Sequence, residues 1–334
     1  MSSADGFFIS MINLLAYGPI VPFVVALLIG IPSAILYCLE VWVIIANFAD
    51  FNSAFFVLVV VRAILSLTNW ICQFFENRFG KIGLFLAFFH QLPECALCFL
   101  YFAVNFAFHV ENLLTVFLLL NRFSSILLPF TYNKLWRYAL VPALIVSFVL
   151  PLPFTVPIFS LQMFIHVQND NVSFTIDHYK NENAVKSSKI SAWSAIFFGI
   201  ICLLLNLASL VAYKFRRPKS IVGQVQSNYS TNNSMVERKM TIYTMVSFFG
   251  QLIMAIFMIT VYVTSTQFVE EPNKSSSNGQ PALLGLSAEQ TQTLFLANYN
   301  QYPWVNDLST IAIPAWLLLW ASTKMRQFIS KKFQ

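Results

Sequence analysis

Two ionisable side chains lie inside stretches that are otherwise apolar, and they are the first residues that could do chemistry. Arg62 falls within residues 53–75 and Glu111 within residues 95–120. An ionised group at mid-bilayer costs about 3 kcal/mol or more, so it faces inward and takes a partner. At 1.5 Å per helical residue, Arg62 stands about 14 Å and Glu111 about 15 Å from the same end of their helices, which predicts an intramembrane ion pair. Such a pair either locks helix packing or acts as a switch or ligand counter-ion. Glu40, about 9 Å from the inner end of the first stretch, is a rival partner. His109-Val-Glu111 and Cys95-Ala-Leu-Cys98 carry metal-ligating residue types. Cys95 and Cys98 are one helical turn apart, but His109 is three turns below them, and zinc needs ligands within about 2.3 Å of one point. The order also reverses the zinc-deaminase signature, in which His-x-Glu precedes the cysteine pair. No metal and no cofactor are expected. The cysteines read as small core-facing side chains, with a local Cys72–Cys95 disulfide near the outer face as the alternative. His90, His109, His166 and His178 make no His-Glu-x-x-His array, and neither a phosphate loop nor a nucleophile motif occurs. No enzyme is expected.

The elements that must position these residues follow from composition. Of 334 residues, 57% are hydrophobic and 10% charged, and Phe occurs 35 times. A soluble domain carries about 25% charged residues. One water-exposed core could not hide so much apolar surface, which rules out an ordinary cytosolic enzyme. A net charge of +6 is spread too thinly between apolar runs for a nucleic-acid surface, so no nucleic-acid partner is expected. A span needs roughly 20 apolar residues. Seven runs qualify, at residues 20–46, 53–75, 95–120, 139–161, 190–213, 240–266 and 302–322. The fold class is all-α: a polytopic membrane protein with a seven-helix bundle at 20–322, an outer N-terminus at 1–19 and a cytoplasmic tail at 323–334. Ile82–Leu92 has too few apolar residues to span and reads as an interfacial segment leading into the third helix. The first 18 residues lack Lys and Arg, so the first helix reads as an uncleaved signal anchor.

Orientation follows from the basic residues. With the N-terminus outside and the C-terminus inside, Arg122, Lys134, Arg137, Lys214, Arg216, Arg217, Lys219, Arg238, Lys239 and the basic tail all fall on the cytoplasmic side. The outer loops hold the minority, Arg78, Lys81, Lys180, Lys186, Lys189 and Lys274. This is the positive-inside pattern. The Asn171-Val-Ser and Asn273-Lys-Ser sequons then lie outside, where they can be glycosylated.

The third span ends in Asn121-Arg122-Phe123, followed by Pro129, Tyr132 and Trp136. The whole run NRFSSILLPFTYNKLW resembles the nematode serpentine receptor class gamma (Srg) chemoreceptor family. The resemblance extends along the chain through span count, loop lengths and a basic third inner loop. It implies a seven-helix chemosensory receptor in the plasma membrane of a sensory neuron, with a small chemical ligand and a heterotrimeric G protein as partners. By the same resemblance Asn121, Arg122, Tyr132 and Trp136, with Lys214, Arg216 and Arg217 at the end of the fifth span, would face the G protein. The Asn-Arg-Phe position also looks like the Asp-Arg-Tyr motif of rhodopsin-like receptors. It departs from it, because Asn121 cannot form an Asp–Arg lock. The seventh span has Ile313-Pro314-Ala315-Trp316 in place of Asn-Pro-x-x-Tyr, and the loop near 162–189 lacks a cysteine.

A ligand would enter the outer half of the bundle. Tyr101, Asn105, His109, Glu111, Trp193, Tyr262, Gln267 and Asp307 are the polar or aromatic candidates there. Pockets between helices are mostly apolar with a few placed polar groups, while Trp and Tyr at span ends also form any interfacial belt. Prolines 142, 151, 153, 157 and 314 predict kinks that open space. A basic cytoplasmic face is also attracted to the anionic lipid of the bilayer. The alternative class is a transporter or ligand-gated channel subunit; the chain carries no internal repeat that would favour it.

Overall fold

A computed structural model describes residue 18 and residues 20–167, 173–178, 182–216, 227–270 and 288–332. Apolar runs in lipid become helices because only a helix pairs each backbone N–H within its own segment. The main helices are α1 (Ile20–Ala46), α2 (Ala54–Gln73), α3 (Glu94–Leu127), α4 (Tyr132–Val149), α5 (Glu182–Arg216), α6 (Ser227–Glu270) and α7 (Ala288–Asp307). Two shorter ones, α8 (Ile313–Ala321) and α9 (Thr323–Lys332), complete the chain. Among the described residues, six helices are long and apolar enough to cross a membrane. The protein is a helical, multi-pass membrane protein.

The observed ends differ from the hydropathy reading where polar residues continue a helix. A π-turn, Phe74–Arg78, and a last turn, Phe79–Lys81, carry α2 well past Phe75. Arg78 and Lys81, read above as loop residues, are therefore helical and buried. The last run begins at Ala288 instead of near Tyr302, continues through a π-turn, Leu308–Ala312, and ends with α8. Its first half is rich in Asn, Gln and Tyr, so hydropathy does not register it. The second half of the polar stretch after α5, from Ser227, is the start of α6.

Ile82–Leu92 turns over instead of spanning. Gly83 (φ 71°) and Phe85 (φ 64°) take the left-handed conformation, and a short helix, Leu86–Gln91, follows before Pro93 starts α3. Phe89 of this segment is buried with Leu97, Ile158, Leu161, Met163 and Phe174. The last two of these belong to a hairpin that the sequence did not announce, β1 (Met163–Val167) antiparallel to β2 (Phe174–His178), with Ile165 opposite Ile176. Glu94 Oε1 accepts the Met163 N–H at 3.1 Å and ties the hairpin to the start of α3.

The break expected at Pro151, Pro153 and Pro157 is present, while Pro142 lies inside a continuous helix. α4 ends at Val149, Pro151 follows, and the chain continues as one turn, Leu152–Thr155, and a 3-10 turn, Val156–Ser160. At the opposite end of the bundle, Phe51, Phe55, Leu118, Trp136, Tyr243 and Met325 belong to the largest core among the described residues. The tail contributes to it. Ser322 Oγ accepts the Met325 N–H at 3.2 Å and caps α9, which buries Met325 and packs Phe328 and Ile329 one turn on. Lys324 Nζ reaches the Asp50 carbonyl at 3.3 Å.

Candidate functional site

The buried ion pair of the bundle joins α2 and α7. Arg78 donates from Nη1 to Asp307 Oδ2 at 2.9 Å and from Nη2 to Oδ1. Both side chains are almost wholly buried, at 1% and 0% exposure. Trp70 Nε1 donates to Asp307 Oδ2 at 3.2 Å. The guanidinium also lies 4.6 Å from the Phe74 ring centroid and 5.8 Å from that of Trp70, so each charge is compensated on more than one side. Around the pair, Gln73 Nε2 donates to Tyr302 Oη at 2.9 Å, Asn77 Nδ2 to Tyr299 Oη at 3.3 Å and Lys81 Nζ to the Tyr299 carbonyl at 2.6 Å. α1 contributes Gly30, where an added Cβ would stand 2.5 Å from Asp307 Oδ2 and 2.9 Å from Trp70 Nε1. Only hydrogen fits there. Asp307, read above as a ligand candidate, is committed to this lock.

The ion pair expected between Arg62 and Glu111 does not form. Both side chains are buried, at 1% and 4% exposure, and the charge of Arg62 reaches Glu111. Among the described residues, however, no nitrogen of Arg62 comes within 4 Å of a Glu111 oxygen. The rise per residue fixes height only. The azimuth of each side chain on its helix decides contact, and here Arg62 lies in the field of Tyr37, Glu111, Cys202 and Tyr243 on four different helices. Glu40 is also buried without an ion pair among the described residues. Glu111 instead lines a small polar cavity with Asn69, Asn112, Gln251, Asn306 and Thr310. On its own helix, Thr115 Oγ1 donates to the Glu111 carbonyl and accepts from Gln251 Nε2 at 2.6 Å.

A larger cavity, about 540 Å³, lies between α3, the broken end of α4 and α5. His109 and Trp193 of the ligand candidates line it. Ser194 Oγ and His109 Nδ1 are 3.2 Å apart. Pro151 and Phe154 form the opposite wall, so the break in α4 makes the space. Asn105 and Tyr101 serve other ends: Asn105 Nδ2 donates to the Tyr101 carbonyl on the same helix at 2.9 Å, and Tyr101 packs beneath the hairpin. The side chains of Tyr262 and Gln267 lie outside those described. All five cysteines are free thiols, so Cys72 and Cys95 form no disulfide. Cys98 donates to the Leu161 carbonyl at 3.4 Å.

At the other end of α3, three of the seven residues expected to face a G protein come together. Tyr132 Oη donates to Asn121 Oδ1 at 3.0 Å. Trp136 Nε1 donates to Ser124 Oγ at 2.7 Å, and Ser124 Oγ donates to the Asn121 carbonyl at 2.9 Å. Asn121 thus holds the start of α4 by accepting a hydrogen bond, where an aspartate would hold an arginine. The Arg122 guanidinium lies 3.6 Å from the Phe55 ring centroid, on α2. Lys214 is exposed near the end of α5. The Arg216 side chain, Arg217, Asn171 and Asn273 lie outside the described residues.

The profile of the Srg family chemoreceptors matches residues 23–276. The chain belongs to the Srg chemoreceptor family. A similar curated protein, serpentine receptor class gamma-17 of Caenorhabditis elegans, is 28% identical over 178 residues, which is 49% of this chain and 53% of that protein. The chain thus spans about half the length of the curated relative it matches. Membership places it in a family of serpentine chemoreceptors.

The α2–α7 lock of this Srg receptor was missed from sequence, although a signal was present. Trp70, Gln73, Asn77 and Lys81 follow one another at helical spacing beyond the apolar run. A polar stripe of that kind marks a helix face turned to a neighbouring helix.

Proposed function

We propose that this Srg receptor is a seven-helix chemosensory receptor with its N-terminus outside and C-terminus inside. It sits in the plasma membrane of a sensory neuron, takes a small chemical ligand in the outer half of the bundle and signals through a heterotrimeric G protein. The observation that carries the reading is the inner end of α3. Asn121, Tyr132 and Trp136 tie the start of α4 to α3, and the Arg122 guanidinium beside them lies over the Phe55 ring of α2. Family membership supports the same reading. A ligand with different affinities for two packings of the bundle shifts the balance between them.

The test is Arg122→Ala in cells carrying a G-protein-dependent reporter, with surface biotinylation alongside. Surface expression is expected to stay near wild type and ligand-evoked signal to fall at least about tenfold, the loss of a charged contact. Persistent signal at normal expression refutes the coupling role. Epitope tags at both termini, with glycosylation at Asn171 and Asn273, check orientation. Flux of a solute without any G protein would favour a transporter.

A further inference from the structure

We infer that the cavity between α3, α4 and α5 takes a lipophilic small molecule carrying one hydrogen-bonding head, and that this molecule enters through the bilayer. The inference rests on the receptor reading above and names the ligand class and its route.

The cavity has two ends of different chemistry. Its deep end holds His109, 4% exposed, bonded to Ser194 across from α5. Among the described residues, Ser194 is the hydrogen-bonding partner of this imidazole, which has a second ring nitrogen to offer a ligand. The remaining wall is apolar, and its rim is formed by Leu150, Phe154, Trp193 and Phe197, which are 46%, 45%, 62% and 60% exposed. These four lie on the flank of the bundle within the apolar spans, so the mouth opens toward hydrocarbon. The gap exists because α4 and α5 meet chiefly through residues 152–160, beyond the Pro151 break. Toward the outer end of α3 the hairpin and its neighbours close over Leu97 and Cys98.

The volume, about 540 Å³, falls in the range of about 300–1,000 Å³ that holds a drug-sized molecule. Apolar walls reward a chain or ring system in proportion to the area buried. A plain acyl chain would fill the walls and leave the His109–Ser194 pair without a ligand bond. A molecule with a hydroxyl or carbonyl head satisfies both ends. That is why the occupant is a head-bearing amphiphile and not the tail of a membrane lipid.

The test uses the full chain in lipid nanodiscs. The probes are an aliphatic alcohol of about ten carbons with a mid-chain diazirine and its alkane counterpart, photolysed and mapped by mass spectrometry. The alcohol is expected to label the segments around residues 150–154 and 193–198, and to exceed the alkane about two- to tenfold, the value of one hydrogen bond. His109→Phe should abolish that preference. Ser194→Ala, which removes a single hydroxyl and is the safer variant for folding, should reduce it, and Leu150→Trp should block both probes. Equal labelling by alcohol and alkane identifies a lipid-filled groove and overturns the inference. So does a preference for alcohol that both His109→Phe and Ser194→Ala leave intact. Nucleotide exchange on a G protein is read in the same nanodiscs. A water-soluble ligand that drives exchange equally in wild type and Leu150→Trp overturns the lipophilic route while the receptor reading stands. Labelling as expected, with no exchange on any G protein when the probe is seated, supports the site and counts against the receptor reading.

Discussion

The α2–α7 lock gives a sharp energetic test. Asp307→Asn keeps the shape of the side chain and removes its charge. Arg78 stays charged, because a guanidinium does not give up its proton in a protein, and at 1% exposure it has no water to turn to. Removing one member of a buried pair destabilises by about 3–5 kcal/mol. At about 2 °C per kcal/mol, the low end for larger domains, the apparent melting temperature falls by about 6–10 °C. Thermal unfolding of the purified receptor can be followed with a thiol-reactive dye, because Cys98 and Cys202 are buried thiols that unfolding exposes. The double variant Arg78→Met, Asp307→Leu removes both charges together. It should recover most of the loss, since apolar replacement of a whole buried pair is often neutral. About 1 kcal/mol should remain, from the Trp70 N–H left without its acceptor. A fall below about 2 °C for Asp307→Asn, or a double variant as unstable as the two single changes added together, refutes the assignment of Arg78 and Asp307 as a coupled pair.

Gly30→Ala should lower the melting temperature by the equivalent of about 1–3 kcal/mol, because its methyl group overlaps Asp307 and Trp70; a more stable protein, as an open helix site would give, sinks the close-approach argument. Tyr132→Phe should raise ligand-independent G-protein activation and destabilise by about 1–3 kcal/mol, since Asn121 is fully buried and loses its side-chain donor. Wild-type basal activity and melting temperature would show that this hydrogen bond holds nothing in place.

The sequence carried the helical class and the proline break because both rest on local rules. Long apolar runs leave the backbone no alternative to helix, and Pro151 removes a donor wherever it stands. Contacts between helices are another matter. Arg62 and Glu111 have matching depths but no ion pair, because depth is read from the count of residues while contact also needs the rotation of each helix. Asn121 and Tyr132 were singled out by resemblance, and the bond between them follows from how the chain folds back after Pro129. The hairpin at Met163–Val167 and Phe174–His178 left little trace, since its strands are short and stabilised by Phe89 and Ile158 from distant segments.

Arg78 shows why the lock in particular escaped a period-based reading. In an unbroken α-helix, each residue advances by about 100°, so position i+5 lies about 140° around from i. Gln73 and Arg78 would then face different neighbours. The π-turn Phe74–Arg78 closes with a bond from Phe79 N–H to the Phe74 carbonyl, five residues back. Its wider turn swings Arg78 back toward the face that carries Gln73 and Asn77, where α7 lies. The partner has the same device. Asp307 is followed at once by the π-turn Leu308–Ala312, closed by Ile313 N–H on the Leu308 carbonyl. π-turns are rare and concentrate at functional positions; here one adjoins each end of a single ion pair. The two turns bring the charged side chains onto facing sides of α2 and α7, and the bidentate pair fixes the rotation of one helix against the other.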